Sequence, residues 1–84
     1  MTNAIDRIQP KSGRGDTILL PDGSEVELRT VIRKYNCSIA TDEERRYGCY
    51  WVVGVDGEEY VVTADVSGLR NRTFRVCSGG RGHR

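Results

Sequence analysis

The side chains that could do chemistry in this sequence are few, and histidine is the scarcest. Hydrolysis by a nucleophile and a base needs an imidazole held in fixed geometry beside the nucleophile. The only histidine, His83, is next to last and follows a glycine-rich stretch. No predicted element positions it, so we expect no catalytic residues and no enzymatic activity.

Adjacent acidic residues are the next candidates for catalysis, as a general acid and base. Neighbouring side chains on a strand point to opposite faces, as for Glu58 and Glu59, and Glu43 with Glu44 fits the negative charge favoured at a helix start. The stretch Gly79-Gly80-Arg81-Gly82 has neither the lysine nor the following helix of a phosphate-binding loop. We therefore expect no small-molecule substrate and no cofactor.

Metal binding is a remote alternative. Three thiolates and one imidazole, from Cys37, Cys49, Cys77 and His83, would make a zinc ligand set. Their spacing has none of the short paired intervals typical of zinc sites. We predict reduced thiols without metal, with Cys49 buried as a small apolar side chain. A zinc-stabilised domain is kept as the alternative.

The arginine-rich end is the main positive feature. The chain has 13 basic and 12 acidic residues, but positions 69–84 carry five arginines and no acid. Guanidinium groups suit phosphates or acidic surfaces, and glycines let the backbone adapt. The predicted partner-binding or nucleic-acid-binding residues are Arg70, Arg72, Arg75, Arg81, Arg84 and Tyr50, the last for stacking. The alternative is arginines that protect a strand edge and solubilise a tail.

The first element that could position these groups is a β-hairpin. Pro21-Asp22-Gly23 fits a three-residue turn, with glycine in the left-handed position. This turn pairs Ile18 with Val26 and turns one apolar face towards a core. Positions 26–33 also fit helical spacing, but the β-branched residues and the preceding turn favour a strand.

A short helix follows at Thr41 to Tyr47. Thr41 and Glu44 form a capping box, acidic residues occupy the first turn and arginines the last, and Gly48 ends it. A helix this short is not stable alone, so it must pack on the sheet.

The central hairpin spans Gly48 to Val62 around Asp56-Gly57, one of the strongest hairpin signals. With a two-residue turn, Trp51 faces Val62 and Val53 faces Tyr60. The opposite face then carries Tyr50, Val52, Glu59 and Val61. A last strand over Thr73 to Cys77 places Phe74 and Val76 inward.

Together these elements predict a mostly β (α+β) fold. About five short antiparallel strands in two or more hairpins and one short helix would form a bent sheet or a small open barrel, SH3-like or OB-like in strand count. The expected boundaries are a flexible arm over 1–16, a single domain over 17–77 and a disordered Gly/Arg-rich tail over 78–84.

The compartment and the partner follow from what the sequence contains. It has no apolar leader and no run long enough to cross a membrane, so we expect a soluble cytoplasmic protein with no membrane association. We predict a small protein-binding module, regulator or inhibitor that docks its folded surface on a protein partner. The alternative is a nucleic-acid-binding module that uses the arginine-rich strand and tail.

Overall fold

The computed structural model describes residues 9–36, 40–66, 70 and 72–81. It contains one short helix and five strands. Their bounds are β1 at Thr17–Leu19, β2 at Glu25–Lys34, α1 at Asp42–Tyr47, β3 at Cys49–Gly54, β4 at Glu59–Thr63 and β5 at Thr73–Arg81. The predicted mostly β fold is confirmed.

The strands form a barrel in which each strand pairs with the next one along the chain. These four neighbouring pairs are antiparallel, and a parallel pairing of β1 with β5 closes the barrel. A strand sheet that closes on itself leaves fewer unpaired edges for aggregation. Closure also brings the start of β5 beside the N-terminal part of the domain, which matters for the arginines of β5.

The first hairpin has the predicted register, because its turn chemistry determines the loop length. Ile18 pairs with Val26, and Leu20 N–H donates to the Ser24 carbonyl at 2.8 Å. Gly23 has a φ of 93°, a left-handed conformation that other residues adopt only with strain.

Strand β2 confirms the β interpretation over the helical one. It is ten residues long, and its register against β3 shifts twice, between Leu28 and Thr30 and between Val31 and Arg33. Each shift leaves an extra residue on β2, which bends and twists the strand. The bent strand can therefore pair with β1 at one end and with β3 at the other.

The predicted register of the central hairpin is wrong by one residue. Trp51 pairs with Val61, and Val52 pairs with Tyr60. The loop has three residues rather than two, since Gly54 N–H donates to the Glu58 carbonyl at 2.9 Å and Gly57 has a φ of 84°. Tyr50, Val52, Tyr60 and Val62 therefore face the barrel core, while Trp51 and Val53 lie on the outside, still more buried than Glu58 and Glu59.

Two apolar clusters stabilise this arrangement. The barrel core consists of Ile18, Leu28, Tyr50, Val52, Tyr60, Val62, Ala64, Phe74 and Val76. A second cluster, formed by Ala40, Cys49, Val61 and Cys77, lies on the outer face of the sheet, with Tyr35 packed against it. Because Cys49 and Tyr50 are adjacent and both buried, strand β3 is covered on both faces at its start.

Helix α1 begins and ends as predicted. Thr41 Oγ1 accepts the Glu44 N–H at 3.1 Å, and Glu44 Oε1 accepts the Thr41 N–H at 2.9 Å. Gly48 follows the last helical residue and donates its N–H to the Glu44 carbonyl at 2.9 Å. The helix contacts β4, as its short length requires.

The last strand runs beyond its predicted end at Cys77 and continues through Arg81, whose backbone lies opposite Tyr60. The backbone over 78–81 is therefore extended rather than the unstructured tail expected from its composition, because it has β4 as a partner. At the other end, Pro10 and Asp16 are buried although they belong to the predicted arm. The division into arm, domain and tail otherwise stays a prediction.

Candidate functional site

Arg72, one of the predicted binding residues, is held by a buried carboxylate. Its Nε and Nη2 atoms each lie 2.7 Å from an oxygen of Asp16, whose side chain is fully buried. The backbone N–H of Lys11 donates to the same carboxylate at 2.8 Å. This two-pronged pairing links the segment before β1 to the residue before β5, where the barrel closes.

Arg75 is held in a similar way under helix α1. Its two terminal nitrogens lie 3.1 Å from Glu44 Oε2 and 3.2 Å from Asp65 Oδ2. Both carboxylates are buried. Because Glu44 also caps the helix, Arg75 fixes α1 against the barrel.

The remaining predicted residues are placed differently. Arg70 forms a surface ion pair with Glu25, with both side chains largely exposed. Tyr50 is 7% exposed and belongs to the barrel core, so its ring is not on the surface as base stacking would require. Arg84 lies outside the described residues, and Arg81 is placed by its backbone alone. The binding role of these arginines stays a prediction, but Arg70, Arg72 and Arg75 all face carboxylates of the same chain.

A different group of side chains faces outward between β2 and β3. The rings of Tyr35 and Trp51 meet edge to face, with centroids 5.9 Å apart. The Arg33 guanidinium carbon lies 5.3 Å from the Tyr35 centroid and 5.1 Å from the Trp51 centroid. We call these three residues the aromatic-arginine cluster.

The two register features described above put this cluster on the surface. The second bulge of β2 sets Arg33 opposite Trp51, and the three-residue loop turns Trp51 away from the barrel core. Tyr35, two residues beyond Arg33, lies on the same outer face and packs against the second apolar cluster. The cluster is therefore anchored on one side and open to solvent on the other.

A pocket of about 350 Å³ adjoins the cluster. It is lined by Arg33, Lys34, Tyr35, Asn36, Arg45, Gly48 and Cys49. Arg45 enters from α1, where its guanidinium donates to the Ala40 carbonyl at 2.7 Å and to Asp42 at 3.1 Å. Among the described residues, three cations and no carboxylate line this pocket, which gives it a positive potential.

Sequence analysis missed this site. The local signal was Arg33-Lys34-Tyr35 at the end of β2, a basic and aromatic run. The incorrect register placed Trp51 on the same face as Val62, a barrel-core residue, so Trp51 was not connected with the end of β2.

Within the described part of the chain, no group of three or more Cys, His, Asp or Glu side chains could hold a metal ion. The side chains of Cys49 and Cys77 are both buried, in agreement with the predicted burial of Cys49. Cys37 and His83 lie outside the described residues, and the zinc-stabilised domain stays an alternative prediction. No helix among the described residues is long and apolar enough to cross a membrane.

Comparison with known proteins gives no relative. The chain significantly matches no protein-family model, no curated protein and no solved structure. Function must therefore be argued from the surface itself.

Proposed function

We propose that this chain is a protein-binding module without enzymatic activity, a small regulator or inhibitor that docks the aromatic-arginine cluster on a protein partner. The observation that carries the proposal is the grouping of the exposed Arg33 with the half-buried rings of Tyr35 and Trp51 on the outer face beside a pocket. Tryptophan, tyrosine and arginine are the residues most enriched among binding hot spots, and they act where a pocket lets them be desolvated.

The rigid setting of the cluster supports docking by the folded body. Strand pairing fixes the backbones of Arg33 and Trp51, and Tyr35 packs against buried side chains. Side chains already ordered before binding lose less conformational entropy when a partner covers them. A preformed surface of this kind favours recognition without refolding.

Nucleic-acid binding is the second candidate, because basic and aromatic side chains together also suit single strands. The geometry of the two rings favours nucleic-acid binding less than protein binding. Base stacking needs an open ring face, whereas Tyr35 and Trp51 meet edge to face and Arg33 lies within cation–π distance of both rings. The predicted phosphate contacts of Arg72 and Arg75 would also compete with buried carboxylates.

Affinity capture from host extract with matched variants tests the proposal. Wild type and Val55→Ala, a change at an exposed apolar side chain away from the cluster, should retain the same protein with and without nuclease treatment. Arg33→Ala and Trp51→Ala, shown to be folded by circular dichroism, should lose it. The proposal would be refuted if Arg33→Ala and Trp51→Ala retained the same protein as wild type, or if nuclease treatment abolished the capture.

A further inference from the structure

The pocket beside the aromatic-arginine cluster contains cationic groups that the fold itself does not use. Arg33 donates one N–H, from Nη1, to the Lys34 carbonyl at 3.2 Å. Among the residues that the structure describes, its other guanidinium N–H groups and the Lys34 ammonium have no hydrogen bond or ion pair. Both side chains are exposed.

Several other polar groups of the pocket wall differ, because they have partners inside the fold. Arg45 binds Ala40 and Asp42. The Cys49 carbonyl accepts the Tyr35 N–H at 2.9 Å, and Gly48 N–H donates to the Glu44 carbonyl at 2.9 Å. Arg33 and Lys34 are therefore left to a ligand as charged donors, beside the neutral Asn36 amide and Tyr35 hydroxyl, and the ligand that satisfies the charged donors is an anion.

The size of the pocket and its rim restrict that anion. A volume of about 350 Å³ lies at the low end of the range for small-ligand sites, and suits one or two side chains. Trp51 and Tyr35 border the cations with apolar surface. In a peptide that has an apolar residue beside an acidic one, the carboxylate would contact the cations and the apolar side chain would contact the rings.

Resting on the proposed function, we infer that the pocket binds a glutamate or aspartate side chain from an acidic segment of the protein partner. The Arg33 guanidinium binds the carboxylate, the Lys34 ammonium at the pocket wall attracts it by its charge, and the Trp51 and Tyr35 rings contact the adjacent apolar side chain. A continuous phosphate strand fits less well. Asp42 and Glu43 are exposed on the first turn of α1, next to the wall that carries Arg45, and would repel any negative charge that extends past the pocket. A strand with a phosphate at every nucleotide cannot avoid this repulsion, whereas a peptide can confine its carboxylates to the pocket.

Trp51 is the only tryptophan in the chain, so its fluorescence reports directly on this surface. The probe is a blocked peptide with a central leucine flanked by glutamates. A peptide with glutamines in place of the glutamates and a thymidine oligonucleotide are the comparison ligands. We expect a saturable change in Trp51 emission with the glutamate peptide, weakened by salt, and binding at least about tenfold weaker for the glutamine peptide and the oligonucleotide.

Charge reversal locates the binding. Lys34→Glu should weaken binding of the glutamate peptide by about tenfold, whereas Arg29→Glu should change it by less than about twofold. Arg29 is an exposed residue of the same strand and does not line the pocket. Both substitutions lie at exposed positions, so folding should survive.

Three results would overturn the inference: no response to the glutamate peptide, equal binding of the glutamine peptide, or equal effects of Lys34→Glu and Arg29→Glu. Tighter binding of the oligonucleotide would do the same and would favour the nucleic-acid alternative. The proposed function fails separately, when protein capture does not depend on Arg33 and Trp51. If Trp51→Ala abolishes protein capture but Lys34→Glu does not, the proposed function stands and the acidic ligand is refuted.

Discussion

Two arginine-containing regions of this barrel differ in what their charges face. At the start of β5, Arg72 and Arg75 turn towards buried carboxylates and hold parts of the fold together. At the end of β2, Arg33 and Lys34 face solvent beside two aromatic rings and a pocket. The first region has more arginine in the sequence, but the second has more charge available to a partner.

The difference shows why the number of charges in a segment does not measure its capacity to bind. A guanidinium paired with a buried carboxylate contributes to the fold, and a ligand can use it only by displacing that carboxylate, which would leave a buried charge unpaired. A guanidinium that lies over half-buried aromatic rings keeps most of its donors for a partner. Substitutions in the two regions should therefore have opposite effects on stability and binding.

Arg72→Ala should have the largest effect on stability. It leaves the fully buried Asp16 carboxylate without its cation, and we expect a loss of about 3 to 5 kcal/mol in the free energy of unfolding, measured by urea denaturation. Arg70→Ala, which removes a surface ion pair with Glu25, is the matched control and should cost at most about 1 kcal/mol. Similar losses for the two variants would contradict the distinction between them.

Arg72→Lys sharpens the same test. Lysine keeps the positive charge but cannot make the two parallel hydrogen bonds that the guanidinium makes with Asp16. Its stability should fall between wild type and Arg72→Ala. A lysine variant as stable as wild type would mean that charge alone, without the paired geometry, supports the barrel closure.

Glu44→Ala should rank second, because Glu44 serves the helix and β5 together. The substitution removes the capping contact to Thr41 and the ion pair with Arg75, and should cost about 2 kcal/mol. Glu43→Ala, an exposed change in the same turn, should cost far less by the same urea measurement. Since α1 also carries Arg45, Glu44→Ala should in addition weaken peptide binding at the pocket, whereas Glu43→Ala should not.

Arg33→Ala should behave in the opposite way. It removes the contacts to two rings on the outer face, so the loss of stability should stay within about 1 kcal/mol. Partner binding should nevertheless fall, as the proposed function requires. A thermal unfolding curve and a binding titration on one sample measure both, and a large stability loss with unchanged binding would assign Arg33 to the fold.

The smallest expected effect concerns the first turn. The Ser24 side chain and backbone donate to Asp22 Oδ1, and these hydrogen bonds lower the pKa of Asp22 below its ordinary value of 3.8. Its contribution is therefore present above the ordinary pKa and lost as the pH falls through the lowered one. Asp22→Asn should remove a small part of the acid sensitivity of the melting temperature, and an unchanged pH profile would contradict this.

Local signals in the sequence were sufficient for several elements. Pro21-Asp22-Gly23 determines its own loop length, and Thr41 with Glu44 marks the helix start through contacts three residues apart. The central hairpin shows the limit of such reasoning. Val55-Asp56-Gly57 closes a three-residue loop like the first one. Without a proline, the sequence did not distinguish a two-residue loop from a three-residue loop. The loop length decides which residues of β3 share a face with Tyr60 and Val62.

The candidate site depended on information that is not local. Arg72 and Asp16 are 56 positions apart, so their pairing follows only from barrel closure. The bulges that bend β2 and bring Arg33 opposite Trp51 appear only in its pairing with β3. Predictions made from one segment at a time therefore overestimated how many β5 arginines are available to a partner. They also missed the aromatic-arginine cluster at the end of β2.

The most direct test of the difference between the regions compares Lys34→Glu with Arg70→Glu in the Trp51 titration with the glutamate peptide. Each substitution lowers the net charge equally at an exposed position, so non-specific attraction changes by the same amount in both. We predict that Lys34→Glu raises the dissociation constant by about tenfold and that Arg70→Glu changes it by less than about twofold. Equal losses, or a larger loss for Arg70→Glu, would contradict the assignment of binding to the aromatic-arginine cluster and its pocket.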